Sequence, residues 1–341
     1  MKRSIRVAVL ALGAVAALVA VAVAYAAYTS PTLRVSYAGT TTNITASASQ
    51  NDDATAVATI YIPAGTTINT SQAPGSQIGT VKAQVQALAL GGALLPLDGK
   101  IIVAPPGAIP AASQAACTQS QTPTASWLLV LTAAGQTINL PAYIIPTAGP
   151  EAALGPAKLT FCLAPPDIPV AVGGATFGAK FLSAALSVNN VFSPVTQGAW
   201  IAFWTPWQAG NGQVNKAGTV ASPTGIAPGA VKVKAKKVGA GATVSGLVTQ
   251  GGLPRPGATV QIWGAKGKAA LRRLGVAKSD AQGVFSFKAK KAGDVYQASV
   301  IAAPTAAPSL CTLLTAQLAG IPCVNPTANG FTAKSALVHK K

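Results

Sequence analysis

After residue 27 the chain alternates apolar and polar positions with a period of two far more often than with the period of a helix. In "IGTVKAQVQAL", Val81, Ala83, Val85 and Ala87 share one side while Lys82, Gln84 and Gln86 share the other, which is the pattern of a strand with one buried face. "TAVATIYIPAG" alternates and stops at Pro63-Ala64-Gly65, and "SWLLVLTAAGQTINLPAYIIP" and "AKLTFCLAPP" add strands broken by Gly and Pro. In "LLPLDGKIIVAPP", Asp98-Gly99 lies between two apolar runs; Asp-Gly tolerates positive backbone angles, so a tight hairpin turn is predicted there. Long helical stripes are scarce. The pattern predicts an all-β protein whose first domain, residues 27–222, is an antiparallel β-sandwich, immunoglobulin-like or related.

Between Gln208 and Gly229 the sequence turns to Gly, Pro, Asn and Ser, as at a domain seam. One short strand is expected at Gly218–Ala221 and a linker at 223–229. A second domain, 230–341, follows. It opens with the basic strand "AVKVKAKKV". In "ATVSGLVTQGGLPRPGATVQIWG", Gly251-Gly252 permits a reversal and Pro254 and Pro256 stiffen the return. Asp280 and Gly283 bracket a further turn, with Phe285 and Phe287 on one face of the strand after it. Tyr296, Ala298 and Val300 alternate in "AGDVYQASVIA".

The order Val244-x-Gly246-x-Val248, Pro254-x-x-Gly257-Ala258-x-Val260, Ser279-Asp280-x-x-Gly283-x-Phe285-x-Phe287 and Ala292-Gly293…Tyr296 resembles the carboxypeptidase regulatory-like domains from Ala242 to Ala302. The resemblance implies a small prealbumin-like β-sandwich. In enzymes that carry such a module it sits beside a zinc peptidase domain. The zinc-ligand constellation of those peptidases is absent from this sequence, so the resemblance implies the accessory part without the catalytic one. The tail after Ala302 departs from the pattern, and a last strand is expected near Phe331–Val338.

The N-terminus changes the setting. Lys2, Arg3 and Arg6 precede an apolar run from Val7 to Ala24, followed by Ala-rich cleavage positions, so residues 1–26 read as a signal peptide. If uncleaved, the same run would be a membrane anchor. Export makes the four cysteines disulfide candidates. Pairing Cys117 with Cys162 and Cys311 with Cys323 keeps each bridge local, and the loop-entropy model assigns these roughly 4 and 3 kcal/mol. The Ala/Gly/Pro-heavy composition has a bacterial character, which would make the sequons at Asn43 and Asn69 coincidental. The formal charge of +18 is unevenly placed: residues 27–216 carry six Lys/Arg against five Asp/Glu, and residues 217–341 carry sixteen against two.

Candidate chemistry is sparse. No C-x-x-C occurs, and the single histidine, His339, stands in a Lys-flanked tail, so no metal site, cofactor or histidine-based catalysis is expected. Asp52-Asp53 read as a polar loop, Asp98 and Asp280 as turn residues, and Glu151 and Asp167 as members of Pro/Gly-rich loops. A hydrolase in the first domain would need two such carboxylates to converge. In "VKVKAKKV", Val231, Val233 and Ala235 share one face and Lys232, Lys234 and Lys236 the other, the ammoniums about 7 Å apart along the strand. Lys288 and Lys290 repeat the arrangement. Such a face would attract anionic envelope polymers or glycans, with nucleic acid a poor expectation for an exported chain. It also reads as a solvated face whose lysines protect an edge strand. Trp200, Trp204 and Trp207 in "GAWIAFWTPW" form either a sugar-stacking row or the filling of a core or seam. Taken together, the sequence predicts an exported, non-enzymatic surface or extracellular binding or structural protein. Two alternatives stay open: a carbohydrate binder using the tryptophans, and a hydrolase of unrecognised type.

Overall fold

The computed structural model describes residues 28–340 apart from 134, 173, 175–177, 196–197, 226–228, 251–252 and 291–292. The expected signal segment and the Gly251-Gly252 reversal therefore lie outside the described residues. Among those described, no helix is long and apolar enough to cross a membrane.

The protein is all-β, with two sandwich-like units. The N-terminal unit contains β1 (Thr32–Ala38), β2 (Thr41–Ser47), β3 (Thr55–Ile62), β4 (Gln77–Ala87), β5 (Ala93–Val103), β6 (Ala125–Ala133), β7 (Gln136–Pro146), β8 (Ala157–Cys162), β9 (Ala179–Asn189), β10 (Ala199–Pro206) and β11 (Val220–Gly225). The C-terminal unit contains β12 (Gly229–Val238), β13 (Gly241–Gln250), β14 (Leu253–Pro254), β15 (Thr259–Ala265), β16 (Arg272–Lys278), β17 (Val284–Ala289) and β18 (Val295–Ala302). The tail adds β19 (Thr305–Ala306), β20 (Thr327–Ala328), β21 (Phe331–Lys334) and β22 (Val338–His339).

One sheet of 13 strands, in the order β1-β2-β9-β4-β5-β6-β7-β8-β3-β10-β11-β20-β19, makes the first unit. Its alternating side chains (Leu33, Ile44, Ile60, Val81, Ile101, Leu129, Ile144, Leu159, Val188 and Trp200 among them) meet in one core, so the sheet folds over on itself. The Thr327 hydroxyl donates to the Leu33 carbonyl at 2.8 Å, which ties β20 to β1 across that fold.

Two local expectations fail here for physical reasons. Asp98-Gly99 is no hairpin turn. β5 runs straight through it, with Gly99 opposite Val81 on one side and Leu131 on the other. A Cβ on Gly99 would collide with the Val130 carbonyl, so glycine is there to let β5 and β6 approach. The reversal falls instead between β4 and β5 at Gly91-Gly92, where φ is +65° and +83°. The linker expected from residue 223 is also occupied. Ser222, Pro223 and Thr224 are buried in β11, and Pro223 is tolerated because the neighbouring tail pairs at Ala221 and again from Thr224, leaving a gap at the missing N–H.

The C-terminal unit stacks one sheet (β12, β13, and β14 and β17 against β13) on a second (β16-β15-β18, with β21 and β22 against β18). Val231, Val244, Val248, Val260, Ile262, Phe285, Tyr296 and Val300 fill the space between them. The turn at Asp280 forms as predicted, its carboxylate accepting from the Gln282 and Val284 amides at 3.0 and 2.8 Å. The final strands form near Phe331–Val338.

Both expected disulfides, Cys117–Cys162 and Cys311–Cys323, are present, in keeping with a chain folded in an oxidising compartment. The stapled tail takes a path that local pattern does not predict. After β18 it leaves the second unit, joins the first sheet as β19 and β20, and then returns as β21 and β22. Its helical turns lay Leu310, Leu314, Leu318 and Ile321 over Tyr61, Ala199, Ile201 and Ala221, covering the outer faces of β3, β10 and β11.

Candidate functional site

The lysine pattern becomes a surface through the register of three strands. β13 pairs with β12 on one side and β17 on the other, so Lys236, Thr243 and Lys288 form one row across the sheet and Lys234, Ser245 and Ser286 the next. A third row holds Lys232, Leu247 and Val284. Lys232, Lys234, Lys236 and Lys288 are exposed, while Val231, Ala235, Phe285 and Ala289 point into the core. Lys236 and Lys288 stand roughly 10 Å apart, two strand spacings of about 4.8 Å each. Lys290 is exposed but follows the last ladder pair, beyond the ordered rows. None of the three strands carries an acidic residue. The face therefore presents a grid of ammoniums and hydroxyls, more apolar at the Leu247–Val284 end. β12 is also an edge strand, so the same lysines discourage strand addition.

The tryptophan row does not exist as a surface. Trp200 and Trp204 are 0% and 1% exposed and face the first core. Their indole N–H groups donate to Tyr37 Oη at 3.0 Å and Ser222 Oγ at 2.7 Å. Trp207 is half-buried and donates to the Leu163 carbonyl at 3.2 Å. Large rings with one polar atom release the most free energy when the ring is enclosed and that atom is bonded, and this strand has both faces covered. The stacking platform is thereby excluded as a site for sugars at Trp200 and Trp204.

Most carboxylates serve local architecture. Asp52, 2% exposed, accepts from the Thr29 and Ser49 amides and the Thr29 hydroxyl at 2.5, 2.9 and 2.6 Å. Asp98 lies 3.8 Å from Lys82 on the surface. Asp167 accepts from the Gly210 amide. Asp294 accepts from the Gly267 amide and pairs with Lys340, and these contacts hold its carboxyl below the ordinary range.

One arrangement escaped the sequence reading. Glu151, Lys158 and Tyr61 come together in a cleft of about 720 Å³ on the outer face of β8, β3 and β10, roofed by the stapled tail. Lys158 Nζ lies 2.8 and 2.6 Å from the two Glu151 oxygens, and Tyr61 Oη donates to Glu151 Oε1 at 2.9 Å. Burial, the hydrogen bond to Glu151 and its charge all push the Tyr61 phenol above its ordinary value. Glu151 is the one carboxylate lining the cleft among the described residues. The seven-residue gap between Glu151 and Lys158 was visible in the sequence, but the short turn that folds one onto the other was not.

These groups give a pH signature. Burial raises the phenols of Tyr28, Tyr37, Tyr61 and Tyr143. Folded pKa values above the unfolded one mean stability that is complete below about pH 10 and lost as pH rises beyond it. Lys180 and Arg255, whose pKa values burial lowers, act with the opposite sign, but they are two groups against four. Denaturant midpoints measured across the alkaline range should fall past about pH 10. Tyr61→Phe should remove close to 1.4 kcal/mol per pH unit from that slope. A slope unchanged by the substitution would refute the assignment.

No protein-family model matches the chain, and comparison with curated proteins gives no match. Among solved structures, native alpha-2-macroglobulin from Escherichia coli spanning domains MG0-NIE-MG1 aligns over 81% of this chain and 93% of that one, at 10% identity and a TM-score of 0.16. Similarity at that level carries no inference about fold or function.

Proposed function

We propose that this is an exported, non-catalytic binding or structural protein of the cell surface, which contacts an anionic envelope polymer through Lys232, Lys234, Lys236 and Lys288. The observation that supports it is the convergence of these four lysines on one sheet face whose strands contain no acidic residue. Hydroxyls between the ammoniums add hydrogen-bond donors for phosphate, sulfate or carboxylate oxygens. The resemblance of residues 242–302 to carboxypeptidase regulatory-like modules supports an accessory role, and the two disulfides suit an extracytoplasmic setting.

The test is retention on immobilised heparin and polyphosphate. The protein should bind at low salt and elute as salt rises, because screening weakens exposed charge. Changing Lys232, Lys234, Lys236 and Lys288 together to Gln should weaken binding at least tenfold at about 50 mM salt, since each lysine near an anionic surface contributes about 1 kcal/mol before losses to flexibility. The control removes equal charge elsewhere: Lys266, Lys268, Arg272 and Arg273 to Gln. Equal losses in both variants would reduce the effect to general basicity and end the assignment to this face.

A further inference from the structure

A second cavity, of about 450 Å³, lies where the tail crosses between the units, and its wall includes Gln250, Arg255, Leu310, Leu313 and β19. Arg255 is 4% exposed. Its amide donates to the Val248 carbonyl at 2.9 Å, its own carbonyl accepts from Ser279 Oγ at 2.6 Å, and one guanidinium nitrogen donates to the Ala303 carbonyl. The guanidinium Nε has no partner among the described residues. No acidic residue lines the cavity, and burial lowers the pKa of Arg255. A cation enclosed without a counter-charge is costly.

Gln250 shows the complementary defect. The β13–β14 register pairs Gln250 with Leu253 and Thr249 with Pro254. That register sets Arg255 opposite Val248, on the same side as Gln250 and one diagonal step away. Gln250 Nε2 donates to the Asn329 carbonyl at 3.0 Å, while its Oε1 is buried without a donor among the described residues. A charged donor and a neutral acceptor therefore stand unsatisfied at neighbouring positions in a cavity walled mainly by Pro, Ala and Leu, with the hydroxyl residues Thr305, Ser309 and Thr327 also on its lining. One ligand chemistry answers all three features: a carboxylate for Arg255, an N–H one bond-set away for Gln250, and an apolar side chain for the Leu310–Leu313 wall. That is an N-acylated amino acid or the last residue of a peptide.

We infer that the cavity binds the free carboxyl-terminal residue of an acylated amino acid or extended peptide, with Arg255 holding the carboxylate and Gln250 accepting from its N–H. β19 ends the 13-stranded sheet and lines the same cavity, so a longer peptide can continue along it as an added strand. This site is independent of the lysine face.

The test follows the Arg255 Nε–H resonance in the whole protein labelled with 15N-arginine. Titrations use N-acetyl-leucine, acetyl-Ala-Ala-Leu with a free carboxyl end, their C-terminal amides, and sodium acetate. Saturable movement with the two acids, at least tenfold weaker with the amides and with acetate, supports the site. Tighter binding of the tripeptide identifies peptide ends as the source, and equal binding identifies small acylated acids. Arg255→Lys, which lacks that resonance and is titrated instead by isothermal calorimetry beside the unaltered protein, should lose the preference for acids over amides. Should that variant fail to fold, Ala306→Trp, placed at an exposed position of the cavity wall, should block binding while the Arg255 resonance stays native. Acetate binding as well as N-acetyl-leucine, an amide binding as well as its acid, or no movement at about 10 mM of either acid would each overturn the inference.

Discussion

Trp204→Ala is expected to destabilise the first unit by about 3–5 kcal/mol, the range for deleting a large aromatic from a packed core. Trp204 is 1% exposed, stacks on Phe181 at 6.1 Å between ring centroids, and donates to Ser222 Oγ at 2.7 Å. Ser222 is itself fully buried, so truncation leaves both a cavity and an unsatisfied hydroxyl. Trp204→Phe separates the two contributions: it restores most of the volume and should cost about 1–3 kcal/mol, mainly for the orphaned Ser222. Denaturant unfolding followed by far-UV circular dichroism measures both. If Trp204→Ala cost less than about 1 kcal/mol, the ring would not be in the core and a surface role in stacking would return.

The second large effect belongs to Gly246→Val. Gly246 sits in the middle of β13, opposite Val233 on β12 and Phe285 on β17. A Cβ there would overlap the Lys232 carbonyl and come within 2.7 Å of the Phe285 ring. Backbone cannot swing aside as a long side chain can. The ladder must open on one side, at a cost of about 3 kcal/mol or somewhat more. Hydrogen exchange should show β12, β13 and β17 losing protection while β4–β7 keep theirs. The same variant should lose heparin retention, because the lysine rows exist only while β12 and β17 share β13. Native protection throughout the C-terminal unit would contradict this account of Gly246.

These two positions mark how far local pattern reaches. The alternation at Val231–Ala235 and the Phe285–Phe287 pair told correctly which side chains face inward, because period-two burial is a property of each strand alone. That Lys288 falls in line with Lys236 is a property of register between strands far apart in sequence, and nothing in either strand states it. Asp98-Gly99 shows the opposite error. Asp-Gly suits a turn, but here Gly99 answers a close approach of β5 to β6, and that approach is invisible until β6 is in place. Pro223 likewise read as linker because its neighbour on the open side is a tail strand about a hundred residues later. The tryptophans were ambiguous for the same reason, since an apolar strand can line a core or a groove.

The sequence by itself pointed to the all-β class, favoured the two local disulfide pairings among the three possible, and fixed the concentration of positive charge in the C-terminal part. Each of these depends on residue type, spacing or alternation within short stretches. Tertiary structure alone decided that the first unit is one folded-over sheet, that the stapled tail closes over β3, β10 and β11, and that Arg255 and Gln250 line one cavity, each with one polar atom that has no partner among the described residues. Those outcomes depend on which distant strands meet, and chain pairing over long separations is selected by the total burial of the folded molecule, not by any segment's own preference.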